Sequence, residues 1–207
     1  MNIEKYIARI FSTIFHPLVI PSLGIFILFS INTYIGFSIP SGGQRAILLI
    51  VMFNTALAPL ISVFVLKRLK LINSVLLNER AERIIPVFIS GVFYFFTFYI
   101  LKQVNLPFLV YFFILSATIL IFLVLLITLY WKISIHMTSI GGLTGYLIAV
   151  SFLLKTDIPL IIISSLLISG ILGFSRLFLK AHKPAEVYAG FGLGFTFIIL
   201  LSIIFAG

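Results

Sequence analysis

His182 and Glu186 stand four residues apart in the stretch SRLFLKAHKPAEVYAG, residues 175–190. On a helix that spacing puts both side chains on one face. A carboxylate placed there bonds one imidazole nitrogen and leaves the lone pair on the other, which is how a histidine is oriented as a nucleophile. Six residues before His182 lies Arg176, whose planar fork matches phosphate oxygens. Pro184 suits the first turn of a helix better than its interior, so a helix is expected to begin near Lys183. Two further polar clusters are NERAERIIP (78–86), with Arg80 and Arg83, and WKISIHMTSIGG (131–142), with Lys132, Ser134 and His136. All three lie at the boundaries of apolar runs, where converging ionisable groups are functional candidates.

The elements that must position these groups follow from composition. The chain has 207 residues, 62% hydrophobic and 9% charged, with 14 Lys and Arg against 5 Asp and Glu. An ordinary globular chain is about 45–50% apolar and about 25% charged. A disordered protein, a disulfide scaffold and a soluble nucleic-acid binder are therefore excluded, and a multi-pass membrane protein remains. The net charge of +9 sits mostly between apolar runs, where it meets lipid headgroups or anionic substrates rather than nucleic acid. There is no cysteine, which rules out thiolate catalysis and disulfides. Lys5 and Arg9 precede an apolar run as in a signal peptide, but the run is long and no small-residue cleavage site follows, so it is read as a retained first span.

Seven apolar segments are visible: 11–31, 46–66, 86–101, 107–130, 140–154, 158–174 and 187–205. They do not alternate as barrel strands do. The expected fold is all-α, a polytopic transmembrane bundle of six to seven helices in one domain over residues 1–207. His16, Pro17 and Pro21 interrupt the first segment, which is expected to be kinked or re-entrant; His16 itself reads as a packing histidine or a kink feature. SGGQR (41–45), KQVN (102–105) and KTD (155–157) read as tight turns, and 67–85 is the longest polar connection. GGLTG (141–145) and GFGLG (190–194) lack the lysine and the strand of a phosphate loop and read as small-residue helix packing. With seven crossings, eleven of the fourteen basic residues fall on the N-terminal side, against Arg45, Lys102 and Lys155 on the other. The positive-inside rule makes the side of the three polar clusters cytoplasmic.

The third cluster resembles the third motif of the type 2 phosphatidic acid phosphatase superfamily of lipid phosphatases and vanadium haloperoxidases: Ser-Arg, five residues, His, three residues, Asp. Ser175, Arg176 and His182 match, and Glu186 replaces the aspartate. The second motif, Pro-Ser-Gly-His, keeps only Ser134 and His136. The first, Lys, six residues, Arg-Pro, is degenerate: Arg80 and Arg83 are present, Pro86 comes three residues after Arg83, and Leu76 stands at the lysine position. The resemblance implies a divergent member with a phosphatase-like core over about 78–207, and it implies roles. His182 attacks phosphorus and Glu186 orients it. His136 protonates the leaving group. Arg176, Arg80 and Arg83 hold phosphoryl oxygens, Ser134 bonds one of them, and Lys132 neutralises charge. It implies no cofactor and no metal, and a lipid phosphate or diphosphate as substrate among membrane lipids. The degenerate first motif and the Glu186 replacement leave a lipid-phosphate binder or transporter on the same scaffold as the alternative, and a phosphotransferase passing the group to another alcohol as a third. Apart from these, Arg176, Lys180 and Lys183 read as headgroup anchors and Arg80 and Arg83 as paired to Glu79 and Glu82 on a solvated turn.

Overall fold

In lipid every backbone polar group must find its partner within the protein, and a helix does this within one segment. The computed structural model describes residues 3–75, 77 and 79–206; Leu76, at the lysine position of the first motif, and Asn78 lie outside the described residues. Among these residues the chain is all-α: α1 (Ile3–Ile14), α2 (Ile20–Ser30), α3 (Tyr34–Ser38), α4 (Ser41–Met52), α5 (Ala58–Arg68), α6 (Ile84–Gln103), α7 (Phe108–Thr128), α8 (Ile135–Leu153), α9 (Pro159–Phe178) and α10 (Pro184–Ala206). A π-helical turn, Phe53–Leu57, joins α4 to α5, and a 3-10 turn, Ala81–Arg83, leads into α6. Six of the resulting helices are long and apolar enough to cross a membrane, and the protein is an integral membrane protein.

The first apolar segment, expected to be kinked or re-entrant at His16, Pro17 and Pro21, is broken at residues 15–19, and its longer piece, α2, has 11 residues. At ~1.5 Å per residue this reaches about half of a ~30 Å hydrocarbon core. SGGQR is not a turn: it forms the first turn of α4, because Pro40 precedes the helix and the bare Gly42 and Gly43 leave room at its start.

The chain forms two compact units, residues 1–20 with 133–207, and residues 21–132. In the second unit, α4, the π turn and α5 run on as one 28-residue apolar helix. Pro59 explains the wide turn: it has no N–H to give and its ring crowds the preceding turn, so the Ala58 amide reaches back five residues to the Phe53 carbonyl. Farther along, α6 packs on α7 with the Phe122 ring over the bare Cα of Gly91. Val63, Leu66 and Ile72 form a small core that Val75, Leu77 and Ile89 cover.

The first unit is built around α8. Of the most apolar 18-residue stretch of that helix 67% is buried, against 28% for α9 and for α10. The α8–α10 seam is made of glycines. A Cβ on Gly145 would stand 2.6 Å from the Phe195 carbonyl oxygen, one on Gly190 2.8 Å from that of Ser134, and those on Gly141 and Gly194 closer still to Phe191 and Thr138. Without a hydrophobic driving force in lipid, this close backbone approach is what holds helices together, and it accounts for Gly141 and Gly145 of one glycine cluster and Gly190 and Gly194 of the other. A Cβ on Gly173 of α9 would stand 3.4 Å from Met137 of α8 and 3.5 Å from Val187 of α10. Helix hydroxyls within the spans, such as Thr118, Thr144 and Ser169, bond carbonyls four residues back, which satisfies them without water.

Candidate active site

The turn between α9 and α10 sets the position of His182. α9 ends at Phe178, and Lys180 takes the left-handed conformation with φ 51°. The Lys180 amide donates to the Leu177 carbonyl at 2.9 Å and the Ala181 amide to that of Arg176 at 3.1 Å. These are the two bonds of a Schellman cap, with lysine where glycine is usual. Lys70 and Lys155, with φ 60° and 48°, end α5 and α8 in the same way. A cation there also complements the negative end of the helix. The cap reverses the chain within two residues, so His182 returns toward the last turn of α9, where Arg176 sits.

α10 then begins at Pro184, which suits a first helical position because its missing N–H would be unpaired anyway. Glu186 is the third residue of the helix. Its carboxylate Oε2 accepts the Lys183 amide at 3.2 Å, the reach-back half of a capping box, and accepts the His182 Nδ1–H at 2.7 Å. His182 is therefore not on the helix, as its four-residue spacing from Glu186 suggests; it lies just before it, and the pair meets because Glu186 folds back over the helix start. Both residues are buried, at 8% and 7% exposure. The short bond to a carboxylate is charge-assisted. It fixes the tautomer, with the His182 lone pair on Nε2. The glutamate side chain is long enough to reach the imidazole from within the helix.

The segment with Ser134 and His136 joins the same place through the backbone. The Ser134 amide donates to the Glu186 carbonyl at 3.2 Å, so the starts of α8 and α10 are tied together. Ser134 precedes α8, and its hydroxyl is fully buried with no hydrogen-bond partner. His136 follows in the first turn. Its Nε2 lies 3.1 Å from the Ser12 carbonyl of α1. A carbonyl only accepts, so Nε2 carries the proton and Nδ1 is the atom available for proton chemistry. Arg176, His16 and His182 are all near enough to act on the charge of His136.

His16, expected as a packing histidine or a kink feature, lies at the break between α1 and α2 and also reaches this cluster. Its ring meets that of His136 edge to face, with centroids 5.1 Å apart at 82°. The signal was present in the His16-Pro17 pair. A proline disfavours helical conformation in the residue before it, so α1 ends at Ile14, the Ser12 carbonyl falls in the last turn where it can serve His136, and the chain turns at His16. The Leu18 amide donates to His16 Nδ1 at 3.3 Å. Neighbouring atoms, and then the Arg176 charge, lower the pKa of His16 below its ordinary value. The residue nonetheless keeps an exposed surface.

His16, His136, Arg176, His182, Glu186 and Ser134 thus belong to one unit. Ser175, the motif serine, is buried and donates to the Ile171 carbonyl at 2.8 Å within its own helix. Arg80, Arg83 and Lys132 belong to the other unit. There Arg80 Nη1 donates to the Thr128 and Leu129 carbonyls at the end of α7. Arg83 is buried, and its Nε donates to the Leu77 carbonyl at 2.8 Å. Lys132 is half-buried, immediately before Ile133. Glu82 accepts the Asn73 amide at 2.7 Å, so it serves the connection after α5. Among the described residues no three His, Asp or Glu side chains are grouped to hold a metal ion.

The arrangement offers an oriented imidazole, a second imidazole with a fixed tautomer, a guanidinium and two helix starts, whose amides and dipoles favour an anion. No family model, no curated protein and no solved structure matches this chain.

Proposed function

We propose that this protein is a membrane-embedded hydrolase of a lipid phosphate or diphosphate, a divergent relative of the type 2 phosphatidic acid phosphatases, with its active site on the cytoplasmic face. The observation that carries the reading is the buried His182–Glu186 pair at 2.7 Å, in one cluster with His136 and Arg176. Six apolar helices long enough to cross a membrane supply the setting for a lipid substrate.

In this reading His182 Nε2 gives its lone pair to phosphorus. The N–P bond forms and the P–O bond to the lipid alcohol breaks. The leaving oxygen takes a proton from Nδ1 of protonated His136, a contribution of roughly 10²–10⁴-fold for a well-placed acid. Glu186 stabilises the positive charge that builds on His182. Water then attacks phosphorus, its proton goes to His136, and the N–P bond breaks with its electron pair returning to His182. Arg176 holds the equatorial oxygens, where charge develops most.

A second reading is supported by one observation. Arg80 and Arg83 both hold carbonyls of their own unit, as structural arginines do, and a site short of cations suits a lipid-phosphate binder without turnover. One assay separates the two. Purified protein is given phosphatidic acid, phosphatidylglycerol phosphate, a polyprenyl diphosphate and a phosphorylated saccharolipid, and phosphate release is measured beside His182→Ala. The hydrolase reading expects release that disappears in the variant while thermal unfolding is unchanged. Turnover retained in the variant sinks the phosphohistidine; saturable binding with no release establishes the binder.

A further inference from the structure

The second half of the cluster has a charge problem that the family's three motifs do not solve. A phosphate monoester near pH 7 carries close to two negative charges. Among the groups that act on the charge of His136 the one permanent cation is Arg176, the Glu186 carboxylate is already committed to His182 and the Lys183 amide, and Lys180 and Lys183 of the α9–α10 turn are exposed. The remaining groups able to become positive there are histidines. Of these, His182 must be neutral to attack.

His16 and His136 are in ring contact at 5.1 Å, and each is tied by one nitrogen to the backbone: His136 Nε2 to the Ser12 carbonyl, His16 Nδ1 to the Leu18 amide. These bonds assign the same tautomer to both rings. A carbonyl accepts, so neutral His136 holds its proton on Nε2; an amide donates, so neutral His16 accepts at Nδ1 and holds its own proton on Nε2, where it is a donor toward an anion. The charged groups facing the pair are Arg176 from α9, His182 from the α9–α10 turn and, through His182, Glu186 of α10; Glu4, Lys5 and Arg9 of α1 are exposed. With Arg176 present and no anion, a proton on either ring is opposed by like charge. An arriving phosphate reverses that sign. His16 also keeps an exposed surface, so an anion can reach it.

We propose that His16 is a phosphate-binding residue of this site, and that phosphate entry loads a proton onto the His16–His136 pair, which supplies both the missing cation and the acid proton that the leaving group takes. The proposal rests on the hydrolase reading above. It makes the break at His16-Pro17 a functional device: the turn that ends α1 presents one histidine and frees the carbonyl that fixes the other.

The test has a binding arm and a turnover arm. In the binding arm, inorganic phosphate is titrated into detergent-solubilised protein at pH 7 by calorimetry in two buffers of different ionisation enthalpy, which reads protons taken up. Wild type is expected to take up protons on binding, and His16→Gln to bind at least tenfold more weakly with less than half that uptake. In the turnover arm, with dioctanoyl phosphatidic acid, His16→Gln raises KM about tenfold with kcat changed less than threefold, and His16→Arg restores KM, because a permanent cation replaces the acquired one. A merely structural histidine would lower the melting temperature and show no rescue by arginine. Unchanged affinity and proton uptake in His16→Gln overturn the role of His16 while leaving the hydrolase intact. Wild type that neither binds nor hydrolyses phosphate compounds overturns both.

Discussion

Replacing Glu186 by glutamine removes one charge and little else. Glutamine at the third helical position can still accept the Lys183 amide through its carbonyl oxygen, as in a capping box, so α10 keeps its start. It can also still accept the His182 Nδ1–H, so the ring keeps its orientation. What disappears is the charge assistance in a bond of 2.7 Å between residues 8% and 7% exposed. A hydrogen bond to a charged group contributes about 1.5–3 kcal/mol against about 1 for a neutral one. The difference of ~0.5–2 kcal/mol applies to the resting pair. It grows as His182 becomes cationic in the attack, because water is excluded. A loss of roughly 2–3 kcal/mol in the transition state corresponds to about 30- to 150-fold in kcat. KM should change less than about threefold, since Glu186 meets His182 rather than substrate. Steady-state phosphate release measures both constants. Glu186→Asp, the residue of the family motif, should recover part of the loss, because charge returns on a stem one methylene shorter. A Glu186→Gln protein with wild-type kcat would refute the orienting role and the geometry on which it rests.

Four further outcomes follow from the same structure. Gly145→Ala puts a Cβ 2.6 Å from the Phe195 carbonyl oxygen, so α8 and α10 must separate; a loss of about 1–3 kcal/mol, read as lowered thermal stability in detergent, is expected, whereas Gly170→Ala, with open space around it, should be neutral. Lys180→Gly should keep stability and turnover, and Lys180→Val should destabilise by ~1–2 kcal/mol, because a β-branched residue fits the left-handed region poorly; chemical denaturation distinguishes them. The folded-state pKa of His16 lies below its unfolded value near 6.5, toward about 4, so between those values the unfolded chain binds more protons and stability rises with pH, levelling above 6.5; His16→Gln should flatten that limb of a melting-temperature profile. A topology reporter fused after Gly207 should read the side opposite the active site, and a cytoplasmic signal there would place the site outside.

The sequence carried the α-helical class and the membrane setting because lipid leaves few options: long apolar runs without alternation can be satisfied only as helices. It carried the α9–α10 site because spacing there is dictated locally, by a helix end, a two-residue cap and a proline at the next helix start. It did not carry the manner in which His182 and Glu186 meet, since periodicity assigns residues to faces and is silent about caps that fold back. The six-to-seven count left the first segment open; its break was legible in His16, Pro17 and Pro21, because a proline restricts the residue before it, while hydropathy alone reads 11–31 as one run. Read alone, His16 resembled packing. Its partner His136 is 120 residues away in the chain, and no local pattern encodes that contact. The same limit applies to Arg80 and Arg83. Their residue types suggested phosphate, while their bonds to the Leu129 and Leu77 carbonyls could be learned only from the fold.

The central claim is that His182 becomes covalently bound to phosphorus during turnover. Purified protein mixed with a lipid substrate carrying labelled phosphate, quenched in alkali within the first turnover and digested, reads this directly. Label is expected on the peptide containing His182, stable to base and lost in acid, and absent from His182→Ala. Turnover at the wild-type rate with no label on that peptide, in protein whose His182→Ala variant still releases phosphate, would contradict it.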